Sequence, residues 1–343
     1  MAEPLIEAEQ VSEIAFGFMA SKALFVALHL DLFTHIAAHT DTGAHATAEA
    51  LASTSGVSIE RVTTIMTALV ASGLIQGGPD EYRNSPAAES FLVRGARNDF
   101  GDYLRYQIDR QMFPFMNQLE AVVTDSLTED HTDGYAKWMA DPDEARLYTE
   151  SQHAGSLGPG RTLARLVDLS NAEKLLDVAG GSGGLATRLC EAYPALNVTI
   201  LDFPNVVQLA TEKTAHLADR IDVLGGDALV TTWPGPVDAV LMSYLWSGVP
   251  GFAIGDLAAK AFDVLTPGGQ IIVHDFMVDD DRQGPRLAAL WQLQHLAFTP
   301  EAISLTPGAV KACLAAAGFV DLREDVLIPG MTRVVFGRTP DAY

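Results

Sequence analysis

The stretch Lys174-Leu-Leu-Asp-Val-Ala-Gly-Gly-Ser-Gly-Gly184, with Asn197-Val-Thr-Ile-Leu-Asp202 a short way downstream, decides how the rest of the chain is read. An apolar run becomes a tight glycine turn, a helical pattern begins, and a second apolar run ends in a carboxylate. Glycines at such a turn let the backbone come close to a ligand, and the N–H groups of the following helix face it. An acid closing the second strand is placed to accept both hydroxyls of a ribose. The pattern predicts a nucleoside-cofactor site and leaves the nucleoside open.

Beyond this stretch, short apolar runs alternate with helical ones at residues 175–178, 198–201, 221–224, 239–244 and 270–274. Such alternation predicts a parallel sheet with helices on both faces. The last two runs, 320–327 and 332–336, are joined through Pro329-Gly330 with no room for a helix, so they are expected to form a hairpin. A nicotinamide domain would continue with a sixth parallel strand instead. The turn does not decide this alone, because Gly181-Ser-Gly183-Gly-Leu-Ala186 also fits a relaxed dinucleotide fingerprint. Gly225-Gly-Asp227 closes the third strand. Taken in isolation Asp227 reads first as a loop or helix-cap aspartate, and its place at a strand end also suits it to take an adenine amino group.

With 343 residues, 48% of them apolar, the chain can bury one large core or two ordinary ones. A formal net charge of -22 argues against nucleic acid, whose binding needs clustered Lys and Arg, and favours a small molecule. The only cysteines, Cys190 and Cys313, both lie in apolar patterns and read as buried thiols, not a disulfide framework or metal site. The N-terminus lacks a basic signal region, and no run is expected to reach the roughly 18 apolar residues of a membrane span, which points to a cytoplasmic location.

In the first half, Ile14, Phe18, Leu24, Leu28 and Phe33 recur at helical spacing across residues 11–36. This helix packs either in a core or against a second subunit. Residues 46–74 read as two short helices, and Gly77-Gly-Pro-Asp-Glu-Tyr-Arg83 as the turn of a hairpin. Helix, helix and hairpin form a winged-helix pattern, and since the stretch is not basic it is expected to serve as a scaffold or in dimerisation. Residues 98–153 are helical and rich in large side chains, among them Met112, Trp138, Tyr148 and His153, as core or as the wall of a substrate cavity. Gly155-Ser-Leu-Gly-Pro-Gly160 reads as a flexible joint, giving expected domains at 1–100, 101–155 and 156–343.

From about residue 11 to 338, the chain resembles the bacterial and plant small-molecule O-methyltransferases that carry an N-terminal winged-helix dimerisation domain. The resemblance rests on Leu176-Asp-Val-Ala-Gly-Gly-Ser-Gly183, close to the family's Asp-Val-Gly-Gly-Gly-x-Gly, on Leu201-Asp-Phe-Pro204, on Gly226-Asp227, and on Leu265-Thr-Pro-Gly-Gly269. It implies an α/β, Rossmann-like methyltransferase sheet of seven strands behind an all-helical winged-helix dimerisation domain, and an intertwined homodimer. It further implies S-adenosyl-L-methionine bound by Asp177, Ala179, Gly180, Gly181, Gly183 and Ser243, with Asp202 and Phe203 at the ribose and Asp227 and Ala228 at the adenine. Met112, Tyr148, His153, Trp246, Trp291 and Phe298 are the implied substrate pocket.

The chain departs from the family where the catalytic base is expected. After the fourth strand the family reads Leu-His-Asp-Trp-Pro, whereas this chain has Leu245-Trp-Ser-Gly-Val-Pro250, which puts Ser247 at the histidine's place. A serine hydroxyl is far too weak a base for that role. Positioning alone could serve an acidic phenol or enol, an aromatic nitrogen or a ring carbon. His295 could replace the base, with His153 on the opposite wall, an arrangement similar to the branch that methylates a tetrapyrrole ring carbon (bacteriochlorophyllide C-methyltransferases). A cofactor-binding homologue with a non-methylating or regulatory role is the remaining reading. Asp275 is expected to orient a pocket group, and no metal is expected.

Overall fold

A computed structural model describes residues 3–127 and 134–342 and divides the chain into two units, Glu3–Gln111 and Met112–Tyr343. The first contains α1 (Ala8–His29), α2 (Leu32–Asp41), α3 (Ala48–Ser55), α4 (Ile59–Ala71), the strands β1 (Ile75–Gly78) and β2 (Glu81–Asn84), and α5 (Pro86–Phe91). The single helix expected over residues 11–36 is two, because Asp31 takes a left-handed φ of 50° between them. Leu28, Phe33, Ile36, Leu51, Met66, Leu69, Ile75 and Tyr82 form its core. The antiparallel β1–β2 hairpin is the one expected around residues 77–83, and it completes the winged-helix pattern of an otherwise helical unit.

Only the C-terminal end of α1 is buried, at Phe25, Ala27 and Leu28, while Val11, Ile14, Phe16, Phe18 and Met19 are exposed. By length and composition alone α1 is apolar enough to cross a membrane, which corrects the expectation that no stretch is.

The second unit begins with the short helices α6 (Phe113–Met116), α7 (Leu119–Val123) and α8 (Gly134–Trp138) and the long α9 (Pro142–Leu166). There follow β3 (Lys174–Val178), α10 (Gly184–Ala192), β4 (Asn197–Asp202), α11 (Pro204–Lys213), β5 (Ile221–Gly225) and β6 (Val237–Ser243). Then come α12 (Ile254–Val264), β7 (Leu265–Phe276), α13 (Arg286–Phe298), α14 (Pro307–Ala316) and the hairpin β8 (Val320–Ile328) with β9 (Thr332–Arg338). The strand order is β5-β4-β3-β6-β7-β9-β8. Strands β3 to β7 pair in parallel, and β9 runs antiparallel to both β7 and β8. Because side chains alternate along a strand, Ala239 and Leu241 of β6 join one core with α9 and α10, whereas Val240 and Met242 join another with α12 and α14. The chain enters at β3, builds outward to β5 and returns at β6, so the crevice for a ligand lies where the carboxyl ends of β3 and β6 part.

The flexible joint expected at residues 155–160 is instead the interior of α9, which is continuous from Pro142 to Leu166. Its glycines serve packing. A Cβ on Gly160 would lie 3.0 Å from Arg188 Cγ and 3.3 Å from the Gly184 carbonyl oxygen, and a Cβ on Gly184 would meet Ser156 Oγ at 1.9 Å. Helix α9 therefore presses against the first turn of α10 and holds the glycine turn from outside. Gly160→Val should destabilise the protein by about 1–3 kcal/mol, read as a lower urea midpoint; an unchanged midpoint would contradict the close packing.

Candidate active site

The glycine turn is built by strained backbone and missing side chains. Ala179 and Gly181 each have a φ of 58°, and Gly183, at 76°, is the N-cap of α10. Ala179 is not glycine, so it holds its left-handed conformation at a cost that the Ala179 N–H to Leu201 carbonyl bond, 2.7 Å, helps to offset. A Cβ on Gly180 would lie 2.7 Å from the Asp177 carboxylate, and one on Gly183 would lie 2.6 Å from Thr214 Cγ2.

Two acids lie beneath this turn. Asp202 accepts the Gly181 N–H at 2.8 Å and its own chain's Phe203 N–H at 2.7 Å. Burial raises its carboxyl to about 6 despite those bonds. Asp177 is 1% exposed, and neither carboxyl oxygen has a hydrogen-bond partner among the described residues. Burial, and then the neighbouring Asp202 charge, push it up to about 7. At the end of β5, Asp227 Oδ1 caps the following loop by accepting the Leu229 N–H at 2.8 Å. Lys260 ties that loop down by donating to the carbonyls of Ala228, Leu229 and Thr231 at 2.7–3.1 Å.

The predicted pocket residues separate into groups. Tyr148, Trp138 and Phe298 come together with Tyr135 and Phe115, with ring centroids 4.5 Å apart for Tyr135–Phe298, 4.8 Å for Trp138–Tyr148 and 4.9 Å for Trp138–Phe298. Phe203 borders the same cluster, so it links the end of β4 to this wall. Trp291 stacks on Phe276 at 4.6 Å, and His295 lies beside both at 6.1–6.2 Å. His295 is 5% exposed, neither ring nitrogen has a hydrogen-bond partner among the described residues, and burial lowers it to about 3. Met112 is buried at the start of the unit.

Two expected pocket residues go elsewhere. His153 Nδ1 is 2.9 Å from the hydroxyl of Ser182, so α9 places it on the glycine turn. Burial, with Lys213 and Arg188 nearby, keeps it below the usual histidine range. Trp246 is fully buried in the core, with its indole N–H on Met242 Sδ at 3.3 Å. Its size and single donor are satisfied there. The sequence reading missed Tyr135, Gln152 and Gln294. Gln152 donates to the Tyr148 hydroxyl at 2.7 Å, one helical turn away on α9, and this i, i+4 spacing was the signal available. Tyr135, raised to about 12 by burial, has the Tyr148 hydroxyl and Gln294 beside its own.

Where the family's base is expected from the sequence, the 3-10 turn Trp246–Gly248 presents Ser247, whose hydroxyl donates to Asp275 Oδ1 at 2.5 Å and whose N–H donates to Oδ2 at 3.0 Å. Next to it, His274 is closed on both sides, Nδ1 to Ser243 Oγ at 2.8 Å and Nε2 to Thr332 Oγ1 at 2.9 Å, and burial lowers it to about 3. The Ser243 hydroxyl thus joins a buried structural chain.

Comparison with known proteins gives a consistent picture. The O-methyltransferase domain model matches residues 117–320, and the O-methyltransferase dimerisation domain model matches residues 12–94. The chain is 31% identical over 334 residues to the tetracenomycin polyketide synthesis 8-O-methyl transferase TcmO of Streptomyces glaucescens, covering 96% of each. It is also 31% identical over 292 residues to 3-hydroxy-5-methyl-1-naphthoate 3-O-methyltransferase of Streptomyces sahachiroi, covering 84% of this chain and 83% of that one. The structure of human N-acetylserotonin methyltransferase with S-adenosylmethionine superposes with a TM-score of 0.85 at 23% identity, over 99% of this chain and 100% of that one.

The unpartnered Asp177 has a measurable consequence for stability. Its folded value is raised from 3.8 to about 7, so the native state holds a proton that the unfolded chain releases. Stability from this group is therefore present at low pH and is lost as pH rises from about 4 to about 7. In ligand-free protein at about pH 8, Asp177→Asn should raise Tm by roughly 3 °C or more, and the gain should shrink towards about pH 5. A lower Tm at the higher pH would contradict the buried, uncompensated charge.

Proposed function

This chain belongs to the O-methyltransferase family and is an S-adenosylmethionine-dependent methyltransferase; we propose that its acceptor is a hydroxyl of a flat, polycyclic aromatic molecule. The observation that carries this reading is the ring cluster of Phe115, Tyr135, Trp138, Tyr148 and Phe298, beside a buried His295 with two unused nitrogens. Rings offer faces and edges to an aromatic acceptor, and a buried polar group without a partner marks where a ligand would supply one. Both Streptomyces relatives methylate a hydroxyl oxygen according to their names, one in polyketide synthesis and one on a naphthoate.

The residues present fit the cofactor. When bound, it supplies an electrophilic methyl group on a positively charged sulfur. Gly180, Gly181 and Gly183 leave a cradle with no Cβ to fill it, and Asp202 stands where a ribose diol would be held. Asp177 is a buried carboxyl under the turn whose ionised form, disfavoured in the ligand-free protein, a cationic ligand would stabilise. Asp227 keeps one carboxyl oxygen for an adenine amino group, with Ala228 beside it, on the loop that Lys260 secures. His153 holds Ser182 of the turn in place.

His295 acts by orienting the acceptor. Burial opposes an imidazolium here, so the neutral ring serves as a hydrogen-bond partner to a second oxygen of the acceptor. The family match also supports a homodimer in which a second copy covers the exposed apolar face of α1, and sedimentation at the mass of one chain would contradict this.

Incubation with S-adenosylmethionine and 3-hydroxy-5-methyl-1-naphthoate should yield the O-methyl ether by mass spectrometry and NMR; methylation at carbon, or no cofactor binding by calorimetry, would overturn the reading. His295→Ala should raise the acceptor KM about tenfold, the worth of roughly one hydrogen bond, with a smaller change in kcat. A fall in kcat of about 10²- to 10⁴-fold would instead identify His295 as the base.

A further inference from the structure

The acceptor hydroxyl must lose a proton as its oxygen takes the methyl group, and the histidine that the family uses is absent at Ser247. We propose that Asp275 is the terminal proton acceptor, reached through the hydroxyl of Ser247. The inference rests on the O-methyltransferase reading above and adds the route by which the proton leaves.

Four observations carry it. Ser247 Oγ donates its hydrogen to Asp275 Oδ1 at 2.5 Å, a short charge-assisted bond. Its oxygen therefore keeps its lone pairs for an incoming donor. The pair is fully inside the protein, Ser247 at 1% and Asp275 at 0% exposure, and it lies at the carboxyl ends of β6 and β7, the ligand side of the sheet. It also adjoins the aromatic wall. A Cβ on Gly248 would lie 3.1 Å from the Tyr135 ring, and Thr299, just past His295 and Phe298, donates to the Gly248 carbonyl at 3.0 Å. Finally, among the described residues no cation is paired with Asp275. The remaining groups on its carboxylate are the N–H groups of Ser247, Phe276 and Trp246, and its charge is felt at Tyr135 and Tyr244. His274 beside it is neutral and closed on both nitrogens, and Arg333, opposite it on β9, pairs with Asp279 and Glu324. Burial raises Asp275 to about 6 even against its hydrogen bonds, nearer to the value a general base needs at neutral pH than His295 at about 3.

The step balances. The acceptor O–H bond breaks as its proton passes to Ser247 Oγ, and the serine's own proton passes to Asp275 Oδ1. The acceptor oxygen's electron pair forms the new O–CH3 bond, and the pair of the broken S–CH3 bond stays with the departing neutral thioether. Protonated Asp275 returns its proton to solvent after the products leave. Asp275 thus acts through Ser247, and the serine is the group that touches the acceptor.

The test uses full-length enzyme and has two arms. Without any acceptor, difference infrared spectroscopy should show carboxylic-acid C=O bands appearing as pH falls from about 8 to about 5, with Asp177 and Asp202 contributing beside Asp275, and the wild-type minus Asp275→Asn difference should isolate one band lost with Asp275. With S-adenosylmethionine and 3-hydroxy-5-methyl-1-naphthoate, Ser247→Ala should lower kcat about 10²-fold, leaving KM and cofactor affinity within about threefold, and Ser247→Thr should restore turnover. The acid limb of log kcat near pH 6 should vanish in Asp275→Asn. An Asp275 that stays ionised throughout the infrared range, or a Ser247→Ala enzyme with unchanged kcat, overturns the proposal. Should this naphthoate not be turned over, the substrate reading fails, and the infrared arm still decides the fate of Asp275.

Discussion

The carboxylate of Asp202, bonded to the N–H groups of Gly181 and Phe203, is the contact on which the rest of the site depends. It ties the glycine turn after β3 to the end of β4, two strands that neighbour each other in the sheet. The turn can reach that acid because Gly180 and Gly183 leave no Cβ to collide with Asp177, Thr214 or Ile200, and because α9 presses on α10 through Gly160 and Gly184. Stability is given up for this arrangement. A left-handed Ala179 and an unpartnered buried Asp177 are both unfavourable in the ligand-free protein, and both occur where a cationic nucleoside would be held.

On the acceptor side, Ser247 and Asp275 form a buried hydrogen-bonded pair, and the aromatic wall from α8, α9 and α13 meets them through Gly248 and Thr299. His295, desolvated and without a counter-charge, suits recognition better than proton transfer. On the proposed route, binding and proton removal are divided between residues of different elements.

The parts of this arrangement legible in the sequence are those set by local period. The five parallel strands, the closing hairpin, the glycine turn and the acids at Asp202 and Asp227 follow from runs of a few residues each. What escaped depends on contacts between distant segments. Residues 155–160 read as a joint because glycine and proline usually break helices, yet here they allow two helices to touch. His153 and Trp246 carry the right chemistry for a pocket, but α9 turns one onto Ser182 and the core takes the other. The pairing of Ser247 with Asp275 joins residues on β7 and on the turn after β6, and nothing in either local pattern announces it.

A crystal structure with S-adenosylhomocysteine and 3-hydroxy-5-methyl-1-naphthoate tests the whole account most directly. The account predicts ribose hydroxyls on Asp202 and the acceptor hydroxyl within hydrogen-bonding distance of Ser247 Oγ. A ribose held elsewhere, or an acceptor hydroxyl bonded to His295 and remote from Ser247, would contradict it.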